Sequence, residues 1–290
     1  MKIRIIFAVF ALSAAALLMA SCAGAGRDGV QVADGGATAS GALYDTESAE
    51  NTQEERDTGE ITTDAGTAAE TDGEDHMSNV ENLLEKITVN KQSSIRIETD
   101  KIIYLDPFGL TGALHDADII FITHAHYDHF SPEDIEKAAN AGTVFVIPAS
   151  MKGDLADLGI ESGRVNALLP GESATIEGFE VETVPAYNID KSYHPKSNGW
   201  LGYIITVGGV RVYAAGDTDA TDEAKSVRCD IAFLPIGGKY TMDASEAREL
   251  ARIIAPAAAI PTHYGSIVGS PSDYDVFADG LDFAVEKLVF

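Results

Sequence analysis

The chain has 290 residues, 45% of them hydrophobic, which allows one or two domains with a well-buried core. Its 20 Lys+Arg against 46 Asp+Glu give a formal net charge of −26, and nucleic acid is a poor partner because phosphate binding depends on basic side chains displacing counterions. The two cysteines, Cys22 and Cys229, exclude a disulfide framework and a cysteine-based zinc site, so any metal must be held by His and carboxylates.

Residues 1–22 are predicted to be an export signal. A positively charged start is followed by an apolar stretch over 5–18, which is short for a membrane span. It runs into Met19-Ala20-Ser21-Cys22, which resembles the lipobox of bacterial lipoproteins and would place the lipid on Cys22. We therefore expect a lipoprotein in the cell envelope, anchored to a membrane and facing outside the cytoplasm. The alternative is a plain secretory signal or an uncleaved anchor, with Cys22 as a passive thiol.

The segment 23–81 is predicted to be a disordered acidic linker. Residues 23–79 carry 14 acidic and 2 basic side chains, and their one aromatic residue is Tyr44. Such a composition cannot bury enough apolar surface to offset the entropy lost on ordering. His76 lies in this segment and is not expected to bind metal.

The region 82–290 changes to short apolar runs separated by turn residues, which predicts one folded domain. The runs of strand length are 102–105, 119–122, 144–147, 201–207, 210–215, 231–234 and 257–260. One helix is predicted to start at Ser131-Pro132 and to stop at Gly142; another covers 243–255 and is halted by Pro256. Many strands with interspersed helices favour a layered α/β domain.

The clearest functional signal is Thr123-His124-Ala125-His126-Tyr127-Asp128-His129, directly after an apolar strand. A tight loop leaving a strand can bring these side chains close together. Neutral imidazoles and a carboxylate are ligands for Zn, Mn or Fe. The spacing therefore predicts a metal centre.

The order His-x-His-x-Asp-His after a strand resembles the metallo-β-lactamase superfamily, and later residues agree with it. Asp106 is similar to the family's loop-supporting Asp, Asp217 to the Asp that bridges two metals, and His263 to the late His of the second site. The run Leu234-Pro235-Ile236-Gly237-Gly238 is similar to a signature of the ascorbate-6-phosphate lactonase-like metal-dependent hydrolases. The resemblance implies an α/β fold, a four-layer αββα sandwich with the metals at one edge, between the two sheets.

The resemblance also implies a ligand set with two metals. His124 and His126 would bind the first metal, Asp128, His129 and His263 the second, and Asp217 would lie between them. The sequence departs from the family at the third ligand of the first metal, because Asn188 stands where relatives have a His. His194 either replaces that ligand, contacts the substrate or is an ordinary loop residue; Asn188 or water would otherwise fill the gap.

The predicted reaction is hydrolysis of a small-molecule ester, lactone, amide or phosphodiester. A bound divalent cation lowers the pKa of its water from 15.7 towards about 7, and Asp128 could orient the resulting hydroxide and move the proton to the leaving group. We expect two zinc ions, with manganese as the second choice. Further candidates for substrate contacts are Asn188, Lys239, Tyr240 and Thr241, although the last three could equally be a loop leading into the next helix.

The alternative from another class is a non-catalytic surface lipoprotein that retains the fold. Asn188 is the only support for this alternative, and the otherwise intact His and Asp set argues against it.

Overall fold

The computed structural model describes residues 66–286, with side chains from residue 73 onwards. The predicted signal 1–22, including Cys22, and the linker up to residue 65 lie outside the described residues.

The helices are α1 (Gly66–Leu84), α2 (Pro132–Ala138), α3 (Lys152–Asp157), α4 (Asp222–Lys225), α5 (Ala244–Ile254) and α6 (Asp273–Ala278). The strands are β1 (Ile87–Val89), β2 (Ile95–Glu98), β3 (Ile102–Leu105), β4 (Ile119–Phe121), β5 (Val144–Pro148), β6 (Val165–Leu168), β7 (Ser173–Ile176), β8 (Phe179–Pro185), β9 (Leu201–Val207), β10 (Val210–Ala214), β11 (Ile231–Pro235), β12 (Ala258–Thr262) and β13 (Ala284–Val285). Within the described part of the chain, no helix has the length and apolar content needed to cross a bilayer.

The strands form two sheets. The first has the order β1-β2-β3-β4-β5-β6 and the second β13-β12-β11-β10-β9-β8-β7. In each sheet the strands nearest one edge pair antiparallel, whereas β3 to β6 and β10 to β13 pair parallel. Helices connect most of the parallel strands, as crossover connections require.

Side chains on the central strands alternate between two buried faces. In β3, Ile103 and Leu105 join the core between the sheets, whereas Tyr104 packs beneath the helices on the opposite face. The central core contains residues of both sheets, and the rings of Phe121 and Tyr203 meet with centroids 5.2 Å apart. Because both faces are covered, these strands are continuous apolar runs in the sequence.

Helices cover the outer face of each sheet. Residues of α2 and α3 pack on the first sheet, and residues of α5 and α6 pack on the second, as Leu250 and Phe277 illustrate. The order of layers is helix, sheet, sheet, helix, so the predicted four-layer αββα sandwich is confirmed.

The two predicted helices have the caps that their sequences indicate. Ser131 accepts a hydrogen bond from the backbone N–H of Asp134 at the start of α2, which ends before the expected stop at Gly142. Asp243 and Glu246 form a reciprocal capping box at the start of α5. That helix ends at Ile254, with Ala255 as its C-cap directly before Pro256, close to the predicted end at 255.

The linker prediction is wrong for residues 73–81, because α1 (Gly66–Leu84) runs through them and packs on the domain. Val80 and Leu83 are buried in the central core, and His76 Nε2 lies 2.9 Å from Asp230 Oδ1. Apolar residues three positions apart on one helical face are enough to dock an otherwise acidic segment. The folded domain therefore begins well before residue 82.

Replacement of Leu83 tests the docking of α1. We expect Leu83→Ala to lower the free energy of unfolding by about 2–5 kcal/mol, because it removes a buried side chain from the core. The measurement is urea denaturation of the purified chain. Met77→Ala is the control on the same helix, since Met77 is exposed, and should change the stability by less than about 0.5 kcal/mol. Equal effects of the two substitutions would mean that α1 does not pack on the core.

Candidate metal centre

The candidate ligands lie on loops that follow the ends of strands. The segment 123–129 follows β4, Asp217 follows β10 and His263 follows β12. Since the strands in each parallel half share one direction, their carboxyl ends meet at one edge of the sandwich. His194 comes from the long loop between β8 and β9. Side chains distant in sequence are thereby brought to one place.

The structure brings all seven predicted metal ligands together in two groups. One group contains His124, His126, His194 and Asp217, and the other contains Asp128, His129 and His263. Within each group the potential ligand atoms lie within 4.8 Å of one another. Each group offers at least three donors, which is the number typical of protein ligands at a catalytic zinc.

Asp217 joins the two groups. Its Oδ1 is 3.3 Å from His129 Nε2, and its Oδ2 is 3.3 Å from His194 Nε2 and 3.2 Å from His263 Nε2. The carboxylate therefore faces imidazoles of both groups at once. This is the placement that the resemblance implies for a bridging ligand.

In the first group, His124 Nε2 and His126 Nδ1 face each other at 3.1 Å. Trp200 packs against this pair, with its ring centroid 4.9 Å from that of His124 and 5.0 Å from that of His126. Its ring centroid also lies 5.4 Å from that of His194. Trp200 thus fixes the orientation of three imidazoles, a role that the sequence alone did not assign to it.

The structure places His194, and not Asn188, beside the other potential ligands of the first group. His194 has φ of 56°, a left-handed conformation that turns its side chain into the centre. The Asn188 amide donates to the carbonyls of Tyr193 at 3.0 Å and Tyr240 at 2.7 Å. Asn188 therefore braces the loop behind His194, and its buried side chain does not line the cavity above the centre, contrary to its prediction as a substrate contact.

Asp106 supports the segment 123–129 as the resemblance implies. Its carboxylate accepts hydrogen bonds from the Thr123 backbone at 2.7 Å, the Thr123 hydroxyl at 2.6 Å and His129 Nδ1 at 2.7 Å. Because Thr123 gives its proton to Asp106, its oxygen can accept from His124 Nδ1 at 3.0 Å. The Nε2 atoms of both histidines are thereby directed into the centre.

The loop bearing His263 is held by Gln92, which the sequence did not single out, and by Gly237 of the run 234–238. The carbonyl of Gln92 accepts from the His263 backbone at 3.2 Å, and its side-chain oxygen accepts from Ser266 at 2.6 Å. Gly237 passes so close that a Cβ there would lie 2.4 Å from the His263 carbonyl oxygen. Only glycine fits this approach.

The chemistry of the donor set fits divalent metal ions. Buried atoms without a hydrogen-bond partner include His129 Nε2, His194 Nε2 and Asp217 Oδ1, and all three face the centre. Burial next to the other histidines holds the pKa of His124 well below its usual value, so its imidazole is neutral and able to bind a cation. Burial would raise the pKa of Asp217, but His263 and His129 outweigh it and hold that pKa well below its usual value.

In the second group, burial is again opposed by neighbouring charges, and these charges set the pKa values of His129 and Asp128. Burial opposes protonation of His129, but the carboxylates of Asp217 and Asp106 outweigh it and raise the pKa of that imidazole well above its usual value. Burial would likewise raise the pKa of Asp128, yet its hydrogen bond with His263 at 3.2 Å leaves that pKa lowered. The carboxylates are therefore ionised, and a cation can take the place of the His129 proton.

A cavity of about 210 Å³ opens above the two groups. Tyr240 lines it, as predicted for a substrate contact. The hydroxyl of Thr241 is instead buried and donates to the Met242 carbonyl, so Thr241 does not line the cavity. Lys239 does not line it either, because its ammonium lies 4.9 Å from the Tyr240 ring centroid on an exposed side chain.

The sequence and the fold both match known proteins. A family profile described as "Beta-lactamase superfamily domain" matches residues 86–263. A "UPF0173 metal-dependent hydrolase" from Methanosphaera stadtmanae is 30% identical over 68% of this chain and 91% of its own length. A crystal structure described as a metal-dependent hydrolase from Parabacteroides distasonis is 32% identical, with a TM-score of 0.59 over 70% of this chain and 91% of that one. Igni18, a metallo hydrolase from Ignicoccus hospitalis, is 25% identical, with a TM-score of 0.57 over 70% of this chain and 94% of that one.

The αββα sandwich with two groups of His and Asp donors at one edge, together with relatives named metal-dependent hydrolases, identifies the chain as a metal-dependent hydrolase. The chain belongs to the metallo-β-lactamase superfamily and, within it, to the UPF0173 metal-dependent hydrolase family. The alternative of a non-catalytic protein that only retains the fold is not favoured, because its relatives are named hydrolases and the donor set is complete around Asp217.

Substitution of Asp106 tests how the centre is held. We expect Asp106→Asn to weaken metal binding by about 10–100-fold, because an amide cannot accept from Thr123 and His129 as the carboxylate does. Asparagine tolerates the left-handed backbone at this position, so the change isolates the hydrogen bonds. The measurement is titration of the metal-depleted chain with Zn²⁺. Asp116→Asn, which alters a carboxylate paired with Arg96, is the control, and equal affinity of the two variants would contradict the role of Asp106.

Proposed function

We propose that this protein hydrolyses a small molecule at a centre of two divalent metal ions. The observation that supports the proposal is the buried carboxylate of Asp217, which faces both donor groups at the floor of one cavity. His124, His126 and His194 would hold the first ion, and Asp128, His129 and His263 the second. The bond cut is an ester, lactone, amide or phosphodiester, because each can be attacked by water at such a centre.

When bound, the two cations would supply Lewis acidity, lowering the pKa of water and polarising the bond under attack. Asp128 lies beside His263 and lines the cavity, so its carboxylate can orient a water and pass a proton to the leaving group. His126 is half-buried and also lines the cavity, so it stands between the buried centre and the substrate.

Zinc is our first choice of metal and manganese the second. Imidazole and carboxylate donors suit both, and zinc stands above manganese in the general order of affinity. We also propose that the protein belongs to the lactonase-like branch, and the support is the run 234–238, which adjoins the loop carrying His263. Ile236 and Gly237 pack against the loop carrying His263.

Metal content and hydrolysis together test the proposal. We expect two equivalents of Zn²⁺ per purified chain, falling to about one in His194→Ala because the first group loses a donor. Hydrolysis of simple aryl esters should fall at least about 100-fold in the same variant.

His115→Ala is the matched control, because His115 is exposed and remote from the ligand groups. It should keep both zinc equivalents and full activity. Two equivalents in His194→Ala would remove His194 from the ligand set, and less than one equivalent in the parent chain would overturn the binuclear proposal.

We further propose that the protein is exported and anchored through a lipid on Cys22. The support is the apolar stretch 5–18 followed by Met19-Ala20-Ser21-Cys22, which lies outside the described residues. A lipidated cysteine of this type carries at least two acyl chains, and two chains give stable attachment where one is marginal.

Cys22→Ser tests the anchor. We expect the unchanged chain in the membrane fraction of a bacterial host and the variant in the soluble fraction, followed by immunoblotting after ultracentrifugation. Cys229→Ser is the control, because it removes the other cysteine and should leave the protein with the membrane. A Cys22→Ser chain that stays with the membrane would exclude lipidation as the anchor.

A further inference from the structure

The walls of the cavity above the metal centre are made of aromatic and branched apolar side chains. They are Tyr127, Tyr193, Tyr240, Ile267 and Val268. Tyr127 is 64% exposed, Tyr193 47% and Ile267 41%. Single exposed apolar residues are common on proteins, but several around one concave site mark a surface that a ligand covers.

Two aromatic pairs give these walls a fixed shape. The rings of Tyr193 and Tyr240 meet edge to face, with centroids 4.6 Å apart and an interplanar angle of 86°. Tyr127 meets Phe108 in the same way at 6.0 Å and 78°. The walls therefore present ring surface that is already in place before a ligand binds.

The lining contains no Lys or Arg among the residues that the structure describes. Two lysines lie close to the walls, but each is placed over an aromatic ring: Lys239 Nζ is 4.9 Å from the Tyr240 centroid, and Lys91 Nζ is 5.5 Å from the Phe108 centroid. An anionic group appended to a substrate would lose its hydration here without gaining a charged partner. An uncharged apolar group would instead remove apolar surface from water on both sides.

We infer that the substrate is an uncharged carboxylic ester, lactone or amide that carries an aromatic or branched apolar group next to the bond that is cut. This inference rests on the proposed hydrolytic function and narrows it, since substrates that carry a charged group against the walls, such as phosphorylated lactones, are disfavoured. The volume of about 210 Å³ is below the range of sites for drug-sized ligands, so the substrate is small.

Matched pairs of probes test the inference by binding and by turnover separately. The binding probes are 4-methylanisole and 4-methoxybenzenesulfonate, which cannot be hydrolysed and differ only in a methyl or sulfonate group. The turnover probes are the corresponding acetates, 4-methylphenyl acetate and 4-acetoxybenzenesulfonate. Calorimetry on the zinc-loaded chain gives the Kd values, and spectrophotometry gives kcat/KM.

We expect the methyl compound of each pair to be favoured by at least about tenfold, since an apolar group is buried where a sulfonate would be desolvated without a partner. Ile267→Ala should weaken binding of 4-methylanisole severalfold, and Ile267→Lys should shift the preference towards the sulfonate. Ile253→Ala is the matched control, because Ile253 is exposed on α5 away from the cavity, and it should leave both Kd values unchanged.

If 4-methoxybenzenesulfonate binds as tightly as 4-methylanisole or more tightly, the inference is overturned. If that preference is then lost in Lys239→Ala, the lysine is the group that recognises the anion. The binding result stands whether or not the acetates are hydrolysed. A zinc-loaded chain that binds 4-methylanisole but hydrolyses neither acetate would instead count against the proposed hydrolytic function.

Discussion

The buried carboxylate of Asp217 is the constraint on which the rest of the centre depends. It is almost fully removed from water, and its Oδ1 has no hydrogen-bond partner. An isolated carboxylate in such a place would be strongly unfavourable. Here it is offset by imidazoles at 3.2–3.9 Å, contributed by His124, His129, His194 and His263. The loops of the domain are arranged to deliver these four side chains to one carboxylate.

Bringing these four side chains together requires left-handed backbone conformations, which residues other than glycine rarely adopt. Of the seven such residues with positive φ in the described part of the chain, Gln92, Asp106, His194 and His263 lie at the centre. Each left-handed residue costs on the order of 1–3 kcal/mol and persists only where the surroundings fix it. The hydrogen bonds that the Thr123 backbone donates to Asp106 and that the His263 backbone donates to Gln92 hold these residues in place. Four of these seven residues lie at the site, which indicates a preorganised centre.

The parts that could be predicted from sequence are those set by local pattern. Apolar runs such as 119–122 became strands because both of their faces are covered, and Asp243 and Glu246 specify a helix start through contacts within one turn. The segment 123–129 could be found because four donors lie within six residues. The prediction missed six strands (β1, β2, β6, β7, β8 and β13) and four helices (α1, α3, α4 and α6). The burial of α1, for example, depends on core partners that are distant in sequence.

The position of His194 could not be predicted, because it depends on how the loop between β8 and β9 turns. The structure shows how this loop is held. Asn188 occupies the position where a ligand was expected, and its amide instead donates to the carbonyls of Tyr193 and Tyr240. Those two residues form one wall of the cavity, and Tyr193 directly precedes His194. The side chain of Asn188 therefore connects this wall of the cavity to the potential metal ligand His194. Asn188 and His194 lie in the same loop, so the hydrogen bonds of Asn188 hold a cavity wall and a potential metal ligand in one arrangement.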